Sequence, residues 1–230
     1  MSAHANDPAN SGSRRGFFLV LDGPDGGGKT TQAADLAAWL RARGRSVTTC
    51  REPGGTALGE RVRSLLLDRA GFEFGPRAEM LLFMASRAQL VEEVIRPALA
   101  RGDVVVCDRF LLASVIYQGY AGELGVDDVG RIGAVATGGL FPDLTLLLDV
   151  PTERARVRVG LARDRIEDRP ERYHERVREG FLRAADAARA GTCSYYPARL
   201  VVVDASAESA TVAERIRSEV ERALALDPRP

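Results

Sequence analysis

The run FFLVLDGPDGGGKTT, from Phe17 to Thr31, leaves this chain few options. An apolar stretch ending at Asp22-Gly23 reads as a buried strand, and the Ala/Leu-rich stretch opening at Lys29 has helical spacing, so strand, glycine loop and helix follow one another directly. Gly23, Gly28, Lys29 and Thr30 fit the pattern G-x-x-x-x-G-K-[ST]. There, glycines let backbone N–H groups close on phosphate oxygens, the lysine reaches β/γ-phosphates, and the hydroxyl binds Mg²⁺. The helix N-terminus behind the loop adds partial positive charge. Lys29 is the only lysine of the chain; all its other basic side chains apart from histidine are arginine. A compact ammonium on a flexible stem follows a moving phosphate where a planar fork fits less well. The bland alternative is a glycine-rich turn that binds nothing.

Further along, short apolar runs alternate with helical patterns. After a helix from Thr31 to Arg43 closed by Gly44, strands are expected at Ser46–Cys50, Asp103–Cys107, Leu144–Val150 and Leu200–Val203. Helices are expected at Leu58–Arg69, Pro76–Ala100, Asp127–Gly138, Thr152–Val159, Pro170–Arg189 and Ser206–Leu226. Five such strands separated by helices predict an α/β fold: one domain, residues 16–228, with a parallel sheet covered on both faces. Ligands of such sheets sit at the carboxyl ends of the strands. Two clusters fall there: Arg51-Glu52-Pro53-Gly54-Gly55-Thr56 after the second strand and Asp108-Arg109 after the third.

Each cluster has two readings. The first is a ligand loop or a turn that needs its glycines. In the second, Asp108 can orient a Mg²⁺ shell and Arg109 can bind the phosphate of a second substrate, or the two are an ion pair at a strand end. Phe83 and Arg87, four apart on one helix face, can stack on a base and bond its edge, or be core and surface respectively. Ser114, Tyr117 and Gln118 share a face if 110–120 is helical. The charge-dense stretch Gly160–Arg169, GLARDRIEDR, reads either as a solvated turn or as a mobile lid carrying arginine to phosphate.

Composition excludes several classes. Acidic and basic residues balance at 32 each, which argues against a nucleic-acid surface. Three scattered cysteines and two isolated histidines argue against a disulfide framework or zinc site and fit a reducing cytoplasm. No apolar run reaches the roughly 18 residues of a membrane span. Met1–Arg15 lacks the apolar centre of a signal peptide and is expected to be a disordered extension.

Taken together, GPDGGGKTT, REPGGTALGERVR, LLFMASR, DRFLLASVIYQGY, GLFPDLTLLLDV and DRIE occur in the order seen in bacterial-type thymidylate kinases, and the chain resembles that family from Phe17 to about Leu226. The resemblance implies a three-layer P-loop NTPase fold with a short lid, a homodimer, and Mg²⁺-assisted transfer of the γ-phosphoryl of ATP to dTMP. By position, the loop from Gly23 through Asp25, Gly26, Gly27, Gly28, Lys29 and Thr30 to Thr31 matches the ATP-phosphate site, with Thr30 on Mg²⁺ and Asp25 near the dTMP sugar and metal. Arg63 and Arg109 match arginines on the dTMP phosphate, and Glu52 lies beside the sugar and metal. Phe83 matches the residue that stacks on thymine and Arg87 the one that bonds its edge; Ser114 and Gln118 face the base and Tyr117 the sugar. Gly26 stands where some members carry a catalytic arginine, so the resemblance implies that the lid supplies it: Arg165 first, then Arg163, also placed on the ATP side, and Arg158. Rival readings are a kinase for another nucleoside monophosphate and a nucleotide-dependent switch.

Overall fold

The computed structural model describes residues 16–69, 72–160 and 164–226; the expectations for Met1–Arg15 and Arg163 lie outside them. Its strands are β1 (Phe17–Asp22), β2 (Val47–Arg51), β3 (Val104–Asp108), β4 (Leu144–Asp149) and β5 (Leu200–Asp204). Helices are α1 (Lys29–Ala42), α2 (Ala57–Leu67), α3 (Pro76–Leu90), α4 (Arg96–Ala100), α5 (Leu111–Ser114), α6 (Val126–Ala136), α7 (Thr152–Val159), α8 (Glu171–Arg189) and α9 (Ser209–Ala225).

All strand pairs are parallel, in the order β2-β3-β1-β4-β5. β1 is central and buried along its whole length, which is why it reads as a continuous apolar run rather than an alternating one. Its side chains divide by the two-residue period. Phe17, Leu19 and Leu21 pack with Leu36 and Leu40 of α1 and Ile216 and Val220 of α9, while Phe18 and Val20 join Met84 of α3, Leu112 of α5 and Phe181 of α8 on the opposite face. Two apolar layers on one sheet make the three-layer architecture. Each fully buried side chain of this kind contributes about 1.5–3 kcal/mol.

The strand order decides where a ligand can sit. From β1 the chain crosses through α1 to β2, beyond β3; from β3 it crosses through α5 and α6 to β4, beyond β1. Crossovers leaving adjacent strands in opposite directions open a crevice at their carboxyl ends. The loops after β1, β2 and β3 all converge there.

Two departures from regular helix matter. The helix expected over Pro76–Ala100 contains a π-turn at Val91–Ile95, where the Arg96 N–H bonds Val91 five residues back. Pro97 explains it: with no N–H and a ring that crowds the carbonyl four residues earlier, it forces the preceding turn to widen. A second π-turn, Val115–Ala121, follows α5 directly. It carries Tyr117 and Gln118 onto the crevice.

Candidate active site

The phosphate loop is shaped by close backbone approaches. Gly26 has φ 76, and a Cβ there would lie 2.4 Å from the Ala155 carbonyl oxygen of α7, so no side chain fits between loop and helix. α1 begins at Lys29 with neither a side-chain cap nor an acid in its first turn, which leaves its N–H groups available to an anion. Lys29 is buried and donates to the Pro24 carbonyl at 2.7 Å. Burial, with Arg109 next in importance, depresses its pKa to about 8. Thr30 Oγ1 donates to Asp108 Oδ2 at 2.5 Å, joining the loop hydroxyl to the acid at the end of β3.

Arg109 stands between the loop and the second subsite. With φ 71 it holds a left-handed backbone conformation unusual for a side-chain-bearing residue. It donates to the Gly23 carbonyl at 2.8 Å and the Tyr117 hydroxyl at 3.3 Å, and it is paired with Asp25. Tyr117 also donates to Asp25 at 2.8 Å. Burial pushes Asp25 upward, but Arg109 and Lys29 outweigh it and hold the carboxyl below its ordinary value. Burial likewise opposes the charge of Arg109, yet Tyr117, Asp25 and Asp22 outweigh it and raise its pKa.

A second buried pair closes the other side. Arg87 is 1% exposed; its Nε donates to Glu52 Oε2 at 2.7 Å and its Nη2 to Ser114 Oγ at 3.0 Å and the Phe110 carbonyl at 3.2 Å. Burial lifts Glu52 to about 7 against the opposing pull of Arg87. Glu52 Oε1 is buried without a hydrogen-bond partner. Arg63 donates to the Pro53 carbonyl at 2.9 Å, and burial lowers its pKa.

These groups line one cavity of about 360 Å³. On the loop side it is bounded by Asp25, Gly26, Gly28, Lys29, Thr30 and Thr31, with Asp108 and Arg109 beside them. On the far side stand Glu52, Arg63, Phe83, Arg87, Ser114, Tyr117 and Gln118. Gly23 and Gly27 act from behind through the backbone: the Gly23 carbonyl accepts from Arg109, and the Gly27 N–H bonds the Pro24 carbonyl at 3.3 Å.

Two expected lid arginines are not brought to the cavity. Arg165 donates to Glu79 Oε2 and through Nε to the Leu66 carbonyl, each at 2.8 Å, and its guanidinium lies 5.2 Å from the Phe74 ring centre. Arg158 donates to the Ala205 carbonyl at 2.9 Å, on the β5 side. In each case a nearer acceptor holds the guanidinium. The lid instead lines the cavity with Asp164, Ile166 and Glu167.

Sequence reasoning did not single out Asp22 or Glu79. Asp22 is fully buried, accepts from the Ala113 N–H at 3.1 Å and lies 3.5 Å from Arg109. Its position at the end of β1 was the available signal. Glu79 sits in the first turn of α3, where an acid reads as a complement to the helix dipole.

The donor set fits Mg²⁺. Thr30, Asp108 and Asp25 offer hard oxygen atoms, and Glu52, whose buried Oε1 has no hydrogen-bond partner, lines the same cavity. Among the described residues no three His, Cys, Asp or Glu side chains form a closed cage. Mg²⁺ commonly uses one or two carboxylates and completes its shell with phosphate and water.

Comparison with known proteins identifies the family. A family model described as thymidylate kinase matches residues 21–216. The thymidylate kinase of Caldanaerobacter subterraneus is 43% identical over 211 residues, covering 91% of this chain and 97% of its own. That of Deinococcus radiodurans is 48% identical over 199 residues, covering 84% and 90%. That of Exiguobacterium is 46% identical over 193 residues, covering 83% and 87%. A glycine loop opening onto a cavity with arginines and an aromatic wall is thus found in a chain matched over most of its length, and the chain belongs to the thymidylate kinase family.

Proposed function

We infer that the cavity receives dTMP with its phosphate toward Arg63 and Arg109 and its base toward Phe83, Arg87, Ser114 and Gln118. The chain is a dTMP kinase, a phosphotransferase that moves the γ-phosphoryl of ATP to dTMP to give dTDP and ADP. One observation supports the site reading above the others: the phosphate loop and the base-sized recess are two ends of the same cavity, whose volume lies within the range of small-molecule sites.

Phosphoryl transfer asks the protein for positioning and charge neutralisation more than for covalent chemistry. Lys29 and the N–H groups of the loop hold the triphosphate. Arg63 and Arg109 neutralise the acceptor phosphate, which must approach another polyanion. Arg109, tied to Asp25, Tyr117 and the Gly23 carbonyl, aims its charge with little rotamer freedom. Arg87 has five N–H donors; Nε and Nη2 both reach Glu52 Oε2, at 2.7 and 2.6 Å, Nη2 also serves Phe110 and Ser114, and one Nη1 proton goes to Met84 Sδ at 3.0 Å, which leaves the other Nη1 proton for a base carbonyl. Phe83 supplies a stacking face, and Tyr117 bounds the sugar. Thr30 and Asp108, with Asp25 and Glu52 nearby, would hold a Mg²⁺ ion, which when bound would supply charge neutralisation at the phosphate oxygens. The lid excludes water that would otherwise accept the phosphoryl group. With Arg165 held by Glu79, Arg163 is the arginine we assign to the ATP side.

We also assign a homodimer. Leu58 and Leu65 of α2, Leu81 of α3 and Val135 of α6 are exposed on helices that pack together. Among the described residues no helix is long and apolar enough to cross a membrane. We assign the cytoplasm on a separate ground, the three free cysteines Cys50, Cys107 and Cys193, which suit a reducing compartment.

The decisive measurement is ADP release that depends on dTMP, with dUMP, dGMP and dCMP compared in the same coupled assay. Highest kcat/KM for dTMP is expected. Equal turnover of a purine monophosphate, or ADP release independent of dTMP, overturns the assignment of the recess.

A further inference from the structure

Glu79 stands in the first turn of α3, where a carboxylate ordinarily faces solvent, yet it is 2% exposed. Three donors from distant parts of the chain meet on it. Its Oε1 accepts from Gln118 Nε2 at 3.0 Å, and its Oε2 accepts from Arg165 at 2.8 Å and Arg169 at 2.7 Å. Arg165 and Arg169 belong to the lid; Gln118 belongs to the π-turn at the base end of the cavity. The lid side is reinforced locally, because the Arg165 N–H bonds the Leu67 carbonyl at 3.3 Å and Arg169 lies 4.6 Å from the Tyr173 ring centre. Tyr173 in turn donates to the Tyr117 carbonyl at 2.8 Å, a second tie to the same π-turn.

The chemistry of the three bonds has a direction. A carboxylate only accepts, so the Gln118 amide must turn its nitrogen toward Glu79, leaving its oxygen and one N–H for the cavity. Without an acceptor-only neighbour the amide could sit either way round. The second oxygen of Glu79 fixes two cations of the lid at the same time. We propose that Glu79 is a positioning residue that couples the base subsite to the lid, setting the Gln118 amide with one oxygen and holding Arg165 and Arg169 with the other. This rests on reading the recess as the dTMP base site. Coupling of this kind is reciprocal: a base seated against Gln118 steadies the lid, and a lid pulled from Glu79 weakens the base. Arg165 is on this account an anchor of the lid, which explains why it lies outside the cavity.

The test uses the full chain. Glu79→Gln keeps the size of the side chain and removes its charge. Amide hydrogen exchange over residues 164–169 should accelerate by about tenfold or more, and the KM for dTMP should rise by a similar factor, the scale of a coupled contact. The effects of Glu79→Gln and Gln118→Ala on that KM should not multiply, because each removes the same link. Arg165→Gln combined with Arg169→Gln touches the base nowhere and should still raise the KM for dTMP. Should Glu79→Gln fail to fold, this lid variant carries the test alone. Unchanged lid exchange in Glu79→Gln, multiplicative KM effects, or an unchanged dTMP KM in the lid variant overturns the coupling. Failure of the wild-type enzyme to form dTDP would instead remove the reading of the recess, while lid exchange in Glu79→Gln would still report on the latch.

Discussion

Replacing Arg109 by alanine and by glycine separates its guanidinium from its backbone. Both substitutions leave Asp25 and Asp22 without their nearest cation. At 3.5 Å, the separation from Asp22, a unit charge pair in an effective dielectric of 20 attracts by about 5 kcal/mol. Much of this is offset by desolvation, and breaking a buried pair typically costs about 3–5 kcal/mol. For a chain of this length that corresponds to a fall in Tm of roughly 10 °C. The backbone adds a difference between the two variants. At φ 71 alanine keeps a strain of about 1–2 kcal/mol that glycine escapes, against about 0.5–1 kcal/mol for glycine's greater freedom when unfolded. Glycine should therefore be the more stable variant by about 0.5–1 kcal/mol, while kcat/KM for dTMP falls by at least about a hundredfold in both. Thermal melts with and without dTMP, alongside the coupled assay, read all of this; the stabilisation that dTMP confers on the wild type should vanish in both variants. An alanine variant within about 1 kcal/mol of wild type, or one at least as stable as the glycine variant, would refute the reasoning.

Because Lys29 is the only lysine, a protein labelled with ¹³Cε-lysine gives a single side-chain resonance, and its midpoint in the unliganded enzyme should lie near 8. Its folded value is below the unfolded one, so the destabilisation it causes is full below pH 8 and is relieved as pH rises to about 10.5; a midpoint at 10.5 contradicts the burial argument. Glu52 behaves in the opposite direction. Its folded pKa of about 7 exceeds the unfolded 4.5, so stability falls as pH rises between them, by roughly 3 kcal/mol at most, and Glu52→Gln should lack that slope. Urea unfolding of both proteins at pH 5 and pH 8 measures it, and parallel changes would count against the assignment. Gly26→Ala, with its new methyl 2.4 Å from the Ala155 oxygen and a φ of 76, should lose about 2 kcal/mol or more; an unchanged urea midpoint would show that α7 yields freely.

Much of the site was legible because its signals are local. The glycine spacing, Lys29 and Thr30 lie within one turn of chain, and the Arg51–Thr56 and Asp108-Arg109 clusters mark strand ends that a parallel sheet brings to one edge. Phe83 and Arg87 were ambiguous on their own helix, since four-residue spacing describes a core face as well as a binding one. Arg87 proved to be both, fully buried by its pairing with Glu52 yet lining the cavity. Glu79 gave no signal, because its partners Arg165 and Arg169 lie 86 and 90 positions away and its local context suggests only a helix-dipole complement. The direction of Arg165 was not legible for the related reason that an arginine in a charged loop can turn either toward the cavity or away from it, and here it turns to Glu79.

By itself the sequence determined the strand, loop and helix that bind phosphate, the alternation of strands with helices, and the residue types available for two nucleotides. These follow from periodicity, backbone freedom and charge, which act over a few residues. Only the tertiary structure decided the order β2-β3-β1-β4-β5, the meeting of Thr30 with Asp108, and the engagement of the lid by Glu79. Those depend on which of several equally suitable partners packing brings within hydrogen-bond reach, a competition settled by the whole core and not by any one segment.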